Sequence, residues 1–143
     1  MKISKELLER IRAHGKRAYA EECCGVLLGK VSGSDKAVED ILEIENERQD
    51  ERQRRFLITP EAYVNADKEA RRRGLEILGF YHSHPDHPAR PSQYDLEHAW
   101  AWFSYVITRV EKGEPKETTS WVLRENRSTF DEEEIEELIQ TKK

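Results

Sequence analysis

Helices and strands alternate along this chain, which predicts an α/β fold with strands between helices. Three observations carry that reading. Ile3, Leu7, Leu8 and Ile11 recur at helical spacing near the start. A compact apolar run, Cys24-Gly25-Val26-Leu27-Leu28-Gly29, is bounded by glycine as buried strands are. A second helical stretch then opens on Thr59-Pro60 and stops at Gly74, just before another apolar run at residues 75–81.

Taken in order, Ser4 caps an amphipathic helix over residues 4–19, and the apolar run at 24–29 is the first strand. The turn Ser32-Gly33-Ser34-Asp35 leads to a second strand over 38–45, marked by Ile41, Leu42 and Ile44. Residues 45–55 are polar and read as a loop, and Phe56-Leu57-Ile58 reads as a short third strand. Pro60 opens the second helix, and residues 75–81 deliver the chain into His82-Ser83-His84-Pro85. Pro85, Pro88 and Pro91 make the next stretch irregular. Ser92 starts a helix expected to run through Trp102. Strands follow around 105–110 and 120–123, separated by the turn Lys112-Gly113-Glu114-Pro115. A last helix is expected over 131–140, burying Ile135, Leu138 and Ile139. No internal repeat or long linker divides the chain, so residues 1–143 are expected to form one domain.

Composition narrows the function. The net charge of −5, at 37% charged residues, argues against nonspecific nucleic-acid or membrane binding, which needs a basic excess. Adjacent Cys23 and Cys24 do not make a disulfide framework, and the first residues hold no apolar leader. A soluble, cytoplasmic protein is the expectation.

The chemistry concentrates in one place. His82 and His84 lie at the end of a strand, where residues i and i+2 point to the same side, so both imidazoles can face one ion. Ser83 points the other way. The proline-rich loop then brings Asp95 back on the first turn of a helix. Two histidines and a carboxylate give the three protein ligands of a catalytic zinc site, whose fourth position is kept for water. Iron or cobalt would also accept this set. Ser92 and Asp95 have a structural role as well, as N-cap and first-turn acid of that helix.

His-X-His-Pro, then six residues, then Ser-X-X-Asp resembles the signature of the JAMM (MPN⁺) metalloprotease family. Glu21-Glu22-Cys23-Cys24-Gly25 is similar to that family's Glu-X-Cys-Gly segment, although Ala20 stands where relatives often carry proline. The resemblance covers residues from about 3 to 124. It implies a cytidine-deaminase-like domain with a central mixed sheet flanked by helices. It implies His82, His84 and Asp95 as zinc ligands, Glu22 as general base and Ser92 as donor to the oxyanion. Glu21 and Glu22 are told apart only by the motif, and on an extended segment they point in opposite directions.

The small form resembles the bacterial and archaeal branch linked to ubiquitin-like sulfur-carrier proteins that end in Gly-Gly. The resemblance therefore implies a zinc hydrolase that cuts after that diglycine, for example releasing cysteine from a carrier–cysteine adduct. Removal of a ubiquitin-like modifier from lysine is the second reading, and a non-catalytic MPN scaffold the third. A zinc deaminase is excluded, since His-X-Glu and Pro-Cys-X-X-Cys are missing. Among other residues, His87 is read as an exposed loop histidine, and His98 is weighed evenly between orienting Asp95 and a plain surface position. Cys24 is read as a packed strand residue, and Arg52 to Arg55 and Arg71 to Arg73 as solvated faces. Trp100, Trp102 and Trp121 are expected in the core or at its rim.

Overall fold

The computed structural model describes residues 1–46 and 58–138. Among the described residues, eight strands form one mixed sheet: β1 (Lys2–Ser4), β2 (Cys24–Ser32), β3 (Asp35–Ile44), β4 (Glu76–Pro85), β5 (Ser104–Glu111), β6 (Glu114–Leu123), β7 (Phe130–Glu133) and β8 (Glu136–Leu138). Three helices join them: α1 (Lys5–Ala18), α2 (Pro60–Arg72) and α3 (Gln93–His98). The spatial order is β7-β6-β5-β4-β2-β3-β1-β8. The sheet curls. β7 and β8 occupy its opposite edges, yet only Glu134 and Ile135 separate them along the chain. So short a link spans roughly 10 Å at most, and the two edges must lie close together.

Local chemistry explains the elements. Ser4, in extended conformation, accepts the Leu7 N–H and starts α1, whose Leu7, Leu8 and Ile11 are buried. Thr59 does the same for α2, with Pro60 in the first turn, where its missing N–H costs nothing. Lys112 and Gly113 both have positive φ, 50° and 84°, which suits the tight hairpin between β5 and β6.

The helices cover different faces. Leu7, Leu8 and Ile11 of α1 pack with Leu27, Leu78, Tyr81 and Val106. Ala66 and Ala70 of α2 pack with Val26, Leu28, Ile77, Phe80 and Tyr105. The register of β4 against β2 shifts between Leu27 and Leu28, where Gly79 and Ile77 are the successive partners and Leu78 is the extra residue. That bulge resets the alternation, because one added residue moves every later side chain to the other face. After it, Tyr81 lies on the α1 face while Phe80 lies on the α2 face. The same phase puts Ser83 on the α1 side and both histidines opposite.

Three sequence expectations need correction. The helix expected from Ser92 through Trp102 ends at His98. Ala99 is extended, with φ −87° and ψ 158°, and Trp102 has φ 79°. Here aromatic packing outweighs helix propagation: Phe103 tilts against Phe80 at 5.3 Å, and the Trp100 N–H donates to the Tyr105 hydroxyl at 2.9 Å. The helix expected over 131–140 is instead β7 and β8, with residues from 139 outside the described residues. β7 pairs with β6, and β8 runs parallel to β1, where the Glu136 N–H donates to the Met1 carbonyl at 2.8 Å. Open sheet edges claimed this segment, and Ile135 still packs against the core. Finally, Ile58 is not in a strand, while Phe56, Leu57 and Arg52 to Arg55 lie outside the described residues.

Candidate metal centre

The end of β4 sits between β2 and β5, so its backbone is held on both sides: Cys24 pairs with His82, and His84 pairs with Arg109. His82 and His84 are 1% and 6% exposed. Their Nε2 atoms lie 3.1 Å apart, and Oδ2 of Asp95 is 3.3 Å from each. Donors bound tetrahedrally to an ion at 2.0–2.1 Å stand roughly 3.3 Å from one another, so the triangle has the dimensions that a zinc-sized ion requires. The Nδ1–H of His84 donates to the Pro88 carbonyl at 2.8 Å. That bond fixes the tautomer with the Nε2 lone pair turned inward. The proline-rich loop therefore does more than return the chain.

Asp95 is delivered by a capping box. Its N–H donates to Ser92 Oγ at 3.1 Å, and its Oδ2 accepts the Ser92 N–H at 2.8 Å. Both sequence roles for this pair, cap and site, are thus compatible in one geometry. A hydroxyl that accepts at the cap still has its own proton to donate.

Glu22 arrives from the other side, just before β2. It is 4% exposed, whereas Glu21 is exposed, as an extended segment requires of neighbours. Glu22, His82 and His84 each offer a donor atom within 4.8 Å of the others. Four buried groups from three segments therefore converge, and they can hold a divalent metal ion. The Asp95 oxygen completes the tighter triangle with the imidazoles.

Electrostatics suits that task. Burial pushes His82 below the ordinary imidazole range, against the pull of the Asp95 charge, which favours the neutral ring. Burial would raise the Asp95 carboxyl, but the His82 and His84 rings outweigh it and hold the group well below the usual carboxylate range. Neutral imidazole and ionised carboxylate are the ligating forms. Cys23, by contrast, is pushed up to about 12 by burial and is inert as a nucleophile near neutral pH. Cys24 is fully buried, and its thiol donates to the Ile44 carbonyl.

Of the remaining residues, His87 is exposed, with its ring 6.4 Å from that of His84. His98 turns from Asp95: its Nδ1–H donates to the Tyr94 carbonyl at 2.8 Å, and its ring stacks on Tyr94 at 4.0 Å. Arg71 and Arg72 ion-pair along α2 with Asp67 and Glu69, on an exposed face. Trp100 and Trp102 are about half exposed, at 55% and 46%, and Trp121 is partly buried. No described helix is long and apolar enough to cross a membrane.

A profile for prokaryotic homologs of the JAB domain matches residues 4–124. A probable TtuB-protein conjugate cleaving protease of Thermus thermophilus is 34% identical over 105 residues, 73% of this chain and 67% of that protein. A desampylase of Pyrococcus furiosus is 39% identical over 70 residues, and there the match spans about half of each chain, 49% and 48%. A JAB1/MPN domain protein from Archaeoglobus fulgidus superimposes with a TM-score of 0.60 over 96% of this chain and 99% of its own, and at 22% identity it shows the shared fold alone. With its motif, fold and sequence matches in agreement, the chain belongs to the prokaryotic homologs of the JAB domain and is a peptidase of the JAMM type.

Proposed function

We propose that the chain is a zinc-dependent hydrolase that cuts the peptide or isopeptide bond after the C-terminal Gly-Gly of a ubiquitin-like protein, acting as one domain. The carrying observation is the donor triangle of His82, His84 and Asp95, with the Glu22 carboxylate beside it. Cys23 and Cys24 are both thiols, which supports a reducing compartment such as the cytoplasm.

The mechanism follows from what each residue can hold or move. An amide carbonyl is a poor electrophile and water a poor nucleophile. Zinc, when bound by His82, His84 and Asp95, supplies Lewis acidity that polarises the carbonyl and brings the pKa of water towards ≈ 7. Glu22 takes the proton of the attacking water and passes it to the leaving amine. Ser92 donates its hydroxyl proton to the oxygen on which negative charge develops. A diglycine tail suits a site this enclosed, because glycine lets the backbone approach closely.

The name of the probable TtuB-protein conjugate cleaving protease supports a lysine ε-amine as leaving group beside the carrier–cysteine adduct. One experiment separates these readings. Zinc content is measured on the wild type and on His84→Ala, while hydrolysis of carrier–cysteine and carrier–lysine conjugates is followed in parallel. About one zinc per chain, lost together with cleavage in His84→Ala, is expected. The preferred conjugate names the leaving group. A zinc-free, inactive wild type would leave only the scaffold reading, and full turnover by Glu22→Gln would refute the base assignment.

A further inference from the structure

We propose that Ser83, the residue between the two histidines, is a positioning residue that holds Glu22 at the reacting water. The proposal rests on the reading of Glu22 as the base. Ser83 faces α1, away from the ligand atoms, and is 1% exposed. Its Oγ accepts the Cys23 N–H at 2.8 Å, and its own N–H donates to the Cys23 carbonyl at 3.2 Å. One residue of β4 thus grips both polar groups of the backbone next to Glu22.

The place of that grip matters. Cys24–His82 is the terminal pair of the β2–β4 ladder, so residue 23 lies where the incoming chain would otherwise be free of the sheet. On the far side, the Asn46 side-chain amide donates to the Glu22 carbonyl at 3.0 Å. Glu22 is therefore held through its own carbonyl by Asn46 and through its neighbour by Ser83. α1 closes over the serine, since a Cβ at Gly15 would stand 3.3 Å from the Ser83 Cβ. Without the hydroxyl, the Cys23 N–H is left buried with its acceptor removed, which the backbone relieves by shifting. A shift of about 1 Å in a catalytic group can cost 10²-fold in rate. The imidazole contacts that define the metal site do not involve Ser83, so metal binding and substrate affinity should survive the change.

The test uses the full zinc-loaded chain and a ubiquitin-like protein ending in Gly-Gly, isopeptide-linked to lysine. Wild type, Ser83→Ala, Ser83→Thr, Ser83→Cys and Glu22→Gln are compared. Ser83→Ala should lower kcat by about 10- to 100-fold with KM and zinc content unchanged, and Ser83→Thr, which keeps the hydroxyl, should restore it. Ser83→Cys, close in shape but a weak acceptor, should lower kcat even if the alanine variant fails to fold. In metal-free protein, exchange of the Cys23 amide should accelerate about tenfold in Ser83→Ala and not in Ser83→Thr. Wild-type kcat in Ser83→Ala and Ser83→Cys beside an inactive Glu22→Gln overturns the positioning role alone. So does a loss confined to zinc content or KM, which marks Ser83 as merely structural. Full turnover by Glu22→Gln overturns the base reading and the proposal with it.

Discussion

Replacing Gly25 by alanine should destabilise the protein strongly, although it adds a single methyl group. A Cβ there would lie 2.1 Å from Tyr81 Cε2, 2.2 Å from Cζ and 2.5 Å from the hydroxyl oxygen. Carbon atoms settle at about 3.5–4.0 Å, so the ring must retreat by roughly 1.5 Å. It has little room to do so. Tyr81 is fully buried, and its hydroxyl bonds to His14 Nδ1 at 2.7 Å. Overpacking of this kind costs about 1–3 kcal/mol. Loss of the bond to His14 adds about 1 kcal/mol, for a total of about 2–4 kcal/mol. At roughly 3 °C per kcal/mol for a chain of this size, the melting temperature should fall by about 6–12 °C. Thermal unfolding followed by circular dichroism reads this directly. A variant melting within about 2 °C of wild type would refute the steric argument. A double-mutant cycle sharpens the test: with Tyr81→Leu in place, Gly25→Ala should cost at least about 1 kcal/mol less, because the two positions are coupled. Equal costs in both backgrounds would place the effect elsewhere.

Other outcomes can be stated briefly. Ser92→Ala should lose about 1 kcal/mol of stability with the cap and about 10²- to 10³-fold in kcat with the proposed oxyanion donor; turnover within threefold of wild type would remove Ser92 from the reaction. Metal-free protein should lose stability on acidification. His14 and His82 are both lowered from 6.5 by burial, so below that pH the unfolded chain takes up protons that the folded one resists. Asp95, lowered from 3.8, adds a further loss as pH falls below that value. Urea midpoints at pH 7.5 and 5.5 check the histidine effect, and a higher midpoint at pH 5.5 would reverse the sign.

Much of the fold was legible because local chemistry and tertiary packing agree over most of it. Ser4 and Ser92 each act as the cap their spacing suggests, and Pro60 opens α2 as expected. The convergence of His82, His84 and Asp95 was legible for the same reason: i, i+2 geometry on a strand and a capping box on a helix are short-range patterns. Glu22 was visible only by family resemblance, because it reaches the histidines through the β2–β4 pairing. The face on which the histidines lie also depends on the bulge at Leu78, which no run of apolar residues announces. Misreadings fell where long-range contacts decide. Ile135, Leu138 and the neighbouring glutamates fit a helix well, yet exposed strand edges took the segment. The stretch after His98 lacks any helix breaker, so its end could not be read without Tyr63, Phe80 and Tyr105, against which its aromatics gather.

The proposed ligands ride on elements of very unequal resistance to opening. His82 and His84 belong to a strand paired on both sides, whereas Asp95 belongs to a six-residue helix held at its start by two hydrogen bonds with Ser92. Segments with few partners open far more often than the global unfolding rate, so α3 is where the site lets go first. Loss of a bound ion would then be a gated process: its rate would follow the fraying of one helical turn and be insensitive to how firmly the sheet is built. Extraction by excess chelator should plateau at a rate independent of chelator concentration, rise in Ser92→Ala, and outpace unfolding. A rate that tracks unfolding would mean that the whole domain, rather than one turn of helix, guards the exit.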